Sequence, residues 1–194
     1  MDQPKTIRFV PTRFFESFIA VARELIFRPE RFFEQLRPSG SLSGPLIFLL
    51  FCLFLWALFF ANIIGAKLPL FAALFVFKAA VTLLATVCLH ALLMSPFFNA
   101  RLPYEATLSV VAYAYIVDLV VWFPVLNIIA SMYGLVLMYV GFKAIHRLTI
   151  RQAAAAVFLT VSLTIFWGMI LGLIAPEWVV NGLLQAMEGN SVTA

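Results

Sequence analysis

Four stretches of this chain are apolar over at least the length of a membrane-spanning helix, and one is nearly twice that long. About 20 apolar residues cross a bilayer, and the runs are Pro45 to Ala66, Leu70 to Ser95, Ala106 to Phe142 and Ala153 to Ala175. Composition agrees: 64% of residues are apolar and 11% charged, where a soluble domain carries about 25% charged. The expected fold class is all-α, a polytopic membrane protein. A formal charge of +4 would suggest nucleic acid in a soluble chain. Here the basic residues gather at the edges of the apolar runs, so the charge reports topology and no nucleic-acid partner is expected.

The first run is entered through the loop Ser39-Gly40-Ser41-Leu42-Ser43-Gly44 and ends in a tight turn at Lys67 and Pro69. The second exceeds a perpendicular span, which implies tilt. Pro124 and Asn127 near the middle of the third predict a helical hairpin, with one arm ending at Trp122 and the next starting at Val125. Five spans result, with Pro176 and Glu177 closing the last. Eleven Lys and Arg then fall on the N-terminal side and Lys67 alone on the other. The positive-inside rule predicts a cytoplasmic N-terminus and an external C-terminus, in a cytoplasmic (inner) membrane. The first forty residues are punctuated by charge, so no secretory signal peptide is expected and the first span serves as the membrane signal. The organisation read this way is a cytoplasmic or interfacial segment 1–43, a transmembrane domain 44–176 and a short polar tail 177–194.

Ahead of the first span, Phe14, Phe15, Phe18, Ala22, Leu25 and Ile26 recur near helical spacing opposite Arg13, Glu16, Arg23 and Glu24. After Pro29 a second piece sets Phe32, Phe33 and Leu36 against Glu30, Arg31 and Glu34. Two readings fit: interfacial helices with their rings at the cytoplasmic headgroups, or cytosolic helices packed on the loops of the bundle. A net charge of only two positive before Pro45 argues against a polybasic lipid switch.

Charge inside a spanning segment costs about 2.5–3.5 kcal/mol on insertion scales, so each such group needs a partner or water. Lys78, His90 and Asp118 are the three. Lys78, Thr82, Thr86 and His90 fall at successive four-residue steps on one helix face, and on the next helix Tyr104, Thr107, Tyr115 and Asp118 are compatible with an inward row. Lys78 and Asp118 lie about 13 and 9 Å from the outer ends of their helices, which permits an ion pair. The polar rows either join two helices by hydrogen bonds or line a hydrated cavity. Small residues Gly134 and Gly141 on the fourth helix, and Gly168 and Gly172 on the fifth, mark expected close helix packing. The last pair forms a GxxxG, read first as internal packing and second as a contact between chains.

Cys52 and Cys88 lie within spanning runs and suggest neither a disulfide framework nor a CxxC site. HExxH, GxSxG, phosphate-loop and dinucleotide fingerprints are missing, and neither His90 nor His146 has companions at metal spacing. The expectation is a chain without cofactor or enzymatic activity. His146 reads as a cytoplasmic topology element beside Lys143 and Arg147, and His90 as hydrogen-bonded within the bundle.

Several short motifs carry a resemblance. They are Ser43-Gly44-Pro45-Leu46-Ile47-Phe48, Val111-Ala112-Tyr113-Ala114-Tyr115, Phe123-Pro124, and Gly141-Phe142-Lys143-Ala144-Ile145-His146-Arg147-Leu148-Thr149 leading to Gln152-Ala153. In that order, with Arg31-Phe32-Phe33-Glu34-Gln35-Leu36 upstream, they resemble the bacterial-type Yip1 family over about residues 29 to 175. The resemblance implies a five-helix membrane domain with a cytoplasmic N-terminus. Eukaryotic relatives are linked to vesicle trafficking and Rab-class GTPases and carry Asp-Leu-Tyr-Gly-Pro before the first helix. Only Gly44 and Pro45 of that motif stand here, which argues against a Rab-type GTPase partner. Two functions follow as expectations: a non-catalytic scaffold or adaptor that organises membrane proteins or lipids, or a small transporter or lipid-handling protein whose cavity is lined by the Lys78 row. Expected partners are membrane lipid and either another protein or a second copy of the chain.

Overall fold

In hydrocarbon every backbone N–H and C=O must be satisfied within the segment, which leaves helices as the solution for these runs. The computed structural model describes residues 9–36, 40–98, 100–120, 124–177, 179 and 181–182. Its long helices are α3 (Ser43–Ile63), α4 (Leu68–Leu93), α6 (Pro124–Ile145) and α7 (Ile150–Leu173), preceded by α1 (Phe14–Phe27) and α2 (Pro29–Gln35). Between α4 and α6 lies the short α5 (Tyr104–Ala114), which tightens into a 3₁₀ segment at Tyr115–Leu119. The described residues are helical with connecting turns, and four helices, α3, α4, α6 and α7, are long and apolar enough to cross a membrane.

The ends of these helices follow local chemistry. Gly65 has φ +65 just past α3, a left-handed position that glycine adopts without a Cβ clash, and Pro69 then opens α4 with its φ already set. Arg147 takes φ 52 after α6. Thr149 and Gln152 form a reciprocal capping box at the start of α7, satisfying backbone donors that an uncapped helix leaves exposed.

Four of the five expected spans stand as helices of full spanning length. The expected third span is an α-helix of 11 residues followed by 3₁₀ structure, and its predicted end at Trp122 lies outside the described residues. The path still alternates. Thr107 lies beside His90 near the end of α4, Asp118 beside Lys78 nearer its start, and Gly134 and Gly141 of α6 face Val117 and Val110 in turn. The α5–3₁₀ rod therefore runs antiparallel to both α4 and α6. All of α5 from Glu105 to Ala114 is buried, packed among α2, α3, α4 and α6. Its buried polar residues Glu105 and Thr107 hydrogen-bond to the entry loop and to α4, which suits the segment to a protein interior.

The N-terminal helices form where the periodicity places them, and several of their rings pack into the bundle. Phe32 and Phe33 are 2% and 1% exposed. Phe32 meets the Tyr113 ring edge-on at 5.0 Å, and Phe33 abuts Gly141 of α6. Phe14 and Phe18 stack against Phe48 and Phe51 of α3. Tyr133 of α6 donates its hydroxyl to the Leu25 and Ile26 carbonyls at 2.7 and 3.0 Å, satisfying acceptors that the end of α1 leaves without an intrahelical partner. The pair packs on the spanning helices themselves, not on their loops, and helps to cover α5. Phe15, Ile19 and Phe27 remain exposed on the far side of α1.

Gly134 and Gly141 are close-packing positions: a Cβ would lie 3.1 Å from Val117 on the first and 2.8 Å from Val110 on the second. Gly168 and Gly172 are not. A Cβ on either meets nothing within 4 Å, because α7 is the peripheral helix and these residues stand clear of its neighbours.

Candidate functional site

The polar row of α4 engages the α5–3₁₀ rod at three heights. The Lys78 Nζ and an Asp118 carboxylate oxygen lie 2.5 Å apart, the Thr82 and Tyr115 hydroxyls 2.9 Å apart, and His90 Nδ1 is 3.0 Å from the Thr107 hydroxyl. Thr86 donates instead to the Thr82 carbonyl of its own helix at 2.7 Å. The 3₁₀ segment explains how two consecutive rungs match. Lys78 and Thr82 are four α-helical residues apart, a rise of about 6.0 Å. Tyr115 and Asp118 are three 3₁₀ residues apart, also about 6.0 Å, and they eclipse one another on one face. Continued as an α-helix, the second pair would be spaced at about 4.5 Å and rotated away from α4.

Trp56 of α3 completes the upper rung, with Lys78 Nζ lying 3.7 Å from its ring centroid, a cation–π contact in a dehydrated setting. The ion pair is not sealed. Lys78 and Asp118 side chains retain 22% and 14% exposure, and both line a cavity of about 270 Å³ bounded by Tyr115, Gly134, Thr160 and Thr164. The exposed residues on its rim, Ser131 and Leu135 from α6 and Val161 and Ile165 from α7, set the opening sideways between those two helices.

A second polar group closes the opposite end of the rod. The Thr107 hydroxyl lies between His90 Nδ1 at 3.0 Å and His146 Nε2 at 3.3 Å, so α4, α5 and the end of α6 meet at one side chain. His146 is 8% exposed, not the solvent-facing topology element its basic neighbours suggest. Burial, reinforced by nearby His90, lowers its imidazole pKa to about 4. Glu105, also buried, accepts a hydrogen bond from the Gly40 N–H, tying the entry loop to the first turn of α5, where a carboxylate complements the helix dipole.

Among the described residues no three His, Cys, Asp or Glu side chains are gathered to hold a metal ion. The arrangement offers a neutral charge pair, hydroxyls and an apolar rim. Residues 23–174 match the Yip1 domain. The chain belongs to the Yip1 family. No curated protein and no solved structure matches it. Within this Yip1-family chain the match begins inside α1 and ends one residue beyond α7, so the α4–α5 rungs, the lateral cavity and the buried phenylalanines of α2 all belong to the matched region. It is a multi-pass membrane protein.

Sequence reasoning selected Lys78, Thr82, Thr86, His90, Tyr115 and Asp118, and the structure brings five of them into two- or three-residue contacts across α4 and the rod. It passed over His146, Trp56 and the threonines of α7 as neighbours of that row, and Glu105 as the tie to the entry loop. An acid in the first turn after Pro103 was a readable signal for Glu105. No sequence spacing places Trp56 over Lys78, since the two lie on different helices.

Proposed function

We propose that this Yip1-family protein is a non-catalytic scaffold or adaptor of the cytoplasmic membrane, with its N-terminus inside, that organises neighbouring proteins or lipids. The reading is carried by one observation: Lys78 and Asp118 are paired directly with each other, with Trp56 beside the ammonium. A pair held by both partners is a structural joint between helices, whereas a charge kept for carrying ions needs a changing partner. The α1–α2 pair, anchored by Phe32 and Phe33, gives the cytoplasmic side a packed surface for a partner. The test is purification of the full chain in native lipid followed by mass spectrometry, with reconstituted vesicles as the counter-assay. Reproducible partner proteins or enriched lipids support the scaffold. A proton or solute flux that requires the protein and vanishes in Lys78→Met would sink it.

The lateral cavity supports a second reading, a lipid-handling protein. Its floor carries the ion pair, and exposed Leu135 of α6 and Val161 and Ile165 of α7 stand on its rim.

A further inference from the structure

Depth, charge balance and wall chemistry at the lateral cavity define what it can accept. Lys78 lies ten residues from the Leu68 end of α4, about 15 Å along the helix, and Asp118 nearer the outer end of its own segment, so the pair sits within the outer half of a hydrocarbon core about 30 Å thick. A phosphate or quaternary ammonium drawn to that depth would carry the cost of burying charge. A hydroxyl is far cheaper to bury, and hydrogen bonding at the floor offsets its desolvation. The floor is itself a neutral pair. An anionic head would approach Asp118 as closely as Lys78, and a cationic one the reverse, but a hydroxyl both donates and accepts and so suits both at once. Capacity remains for it: the ammonium has three N–H groups, of which Asp118 engages one and the Trp56 ring faces the same nitrogen, and the carboxylate has a second oxygen.

The walls suit a hydrocarbon tail. Thr160 and Thr164 donate their hydroxyls to the carbonyls of Ala156 and Thr160, at 2.7 and 2.8 Å. The hydroxyls are thereby tied to their own helix, and Val161 and Ile165 complete an apolar rim.

We infer that the cavity between α6 and α7 binds the head of an uncharged, hydroxyl-bearing single-chain lipid, a long-chain alcohol or a monoacylglycerol, with the hydroxyl on the Lys78–Asp118 pair and the chain leaving sideways between Leu135 and Val161. This rests on the lipid-handling reading and names its ligand class. The test uses the full chain in nanodiscs and two diazirine probes of equal chain length, hexadecanol and a phosphatidylcholine, with labelled residues mapped by mass spectrometry. The alcohol should label cavity residues of α6 and α7, be displaced by tenfold excess plain hexadecanol, and lose at least tenfold of that labelling in Thr164→Phe. Thr164→Val, which removes a hydroxyl already engaged by its own helix, should keep it. Leu135→Trp at the exposed rim is the second plug, needing no change in the core. Labelling that plain hexadecanol cannot displace, or that survives both plugs, overturns the inference. Displaceable cavity labelling by the phosphatidylcholine alone overturns the ligand class and leaves the lipid-handling reading standing. No cavity labelling by either probe overturns both.

Discussion

Replacing Lys78 by Met tests whether the intramembrane charges act as one unit. The variant removes the ammonium from a carboxylate 2.5 Å away and from the face of Trp56, while keeping most of the side-chain volume. Two opposite charges about 4 Å apart interact by about 4 kcal/mol at the effective dielectric that suits protein sites. Removing one partner of a buried pair costs about 3–5 kcal/mol. The cavity leaves the two side chains 22% and 14% exposed, so water or a guest relieves part of that, and the low end, about 3 kcal/mol, is expected for Lys78→Met and for Asp118→Leu. The double variant leaves no orphaned charge, and the Thr82–Tyr115 and His90–Thr107 contacts still join the helices, so it should cost about 2 kcal/mol. The coupling energy is then about 4 kcal/mol. Equilibrium unfolding by SDS in dodecylmaltoside micelles, followed by circular dichroism, measures all four corners of the cycle. A coupling below about 0.5 kcal/mol would mean that the two charges do not share a site.

Gly141→Ala places a Cβ 2.8 Å from Val110 and should cost about 1–3 kcal/mol by overpacking, while Gly168→Ala, in open space, should be neutral or gain up to about 1 kcal/mol of helix propensity; equal effects in the same unfolding assay would refute the packing distinction. Phe33→Ala should cost about 3–5 kcal/mol and Phe15→Ala, 74% exposed in the fold, should change bundle stability by less than about 0.5 kcal/mol, whereas comparable losses would return both rings to one environment. The His146 imidazole is held down at about 4 by burial, so the unfolded chain takes up its proton first, near pH 6.5. The folded state therefore keeps this contribution above about pH 6.5 and loses it as pH falls toward 4; His146→Gln should flatten the drop between pH 7.5 and 4.5, and an unchanged slope would remove His146 as its source. Single cysteines at Ala66 and Arg147 should label from opposite sides of an oriented membrane, Arg147→Cys from the cytoplasm, and same-side labelling would break the proposed topology.

Much of the architecture was legible because a bilayer imposes a length. Runs near 20 residues with turn signals at Lys67, Pro69 and Pro176 mark three of the four long helices, and α6 starts at the proline that divides the third run. The polar row of α4 was legible for a related reason: a charge in such a run must face inward, and four-residue steps show which other side chains face inward with it. Partners on other helices were not. Asp118 could be matched to Lys78 by depth, but Trp56 and His146 reach the site through helix placement, about which spacing along one helix says nothing.

The placements that stayed open in the sequence share one cause. Hydropathy measures how readily a segment leaves water, and the interior of a helical bundle is as dry as lipid. α5 therefore reads alike whether lipid or, as here, protein surrounds it. Phe32 and Phe33 suited the headgroups and the bundle equally, and Tyr113 of α5 and Gly141 of α6 receive them. Gly168 and Gly172 illustrate the converse: small residues permit a close approach, but only a neighbouring helix makes it, and α7 has none on that side. The feature that separates a buried rod from a lipid-facing span is its register with its neighbours. Here the register demands a 3₁₀ segment, because only its three-residue rise of about 6.0 Å brings both Tyr115 and Asp118 level with Thr82 and Lys78. The same local tightening that ends α5 early thus forms the charged floor of the cavity.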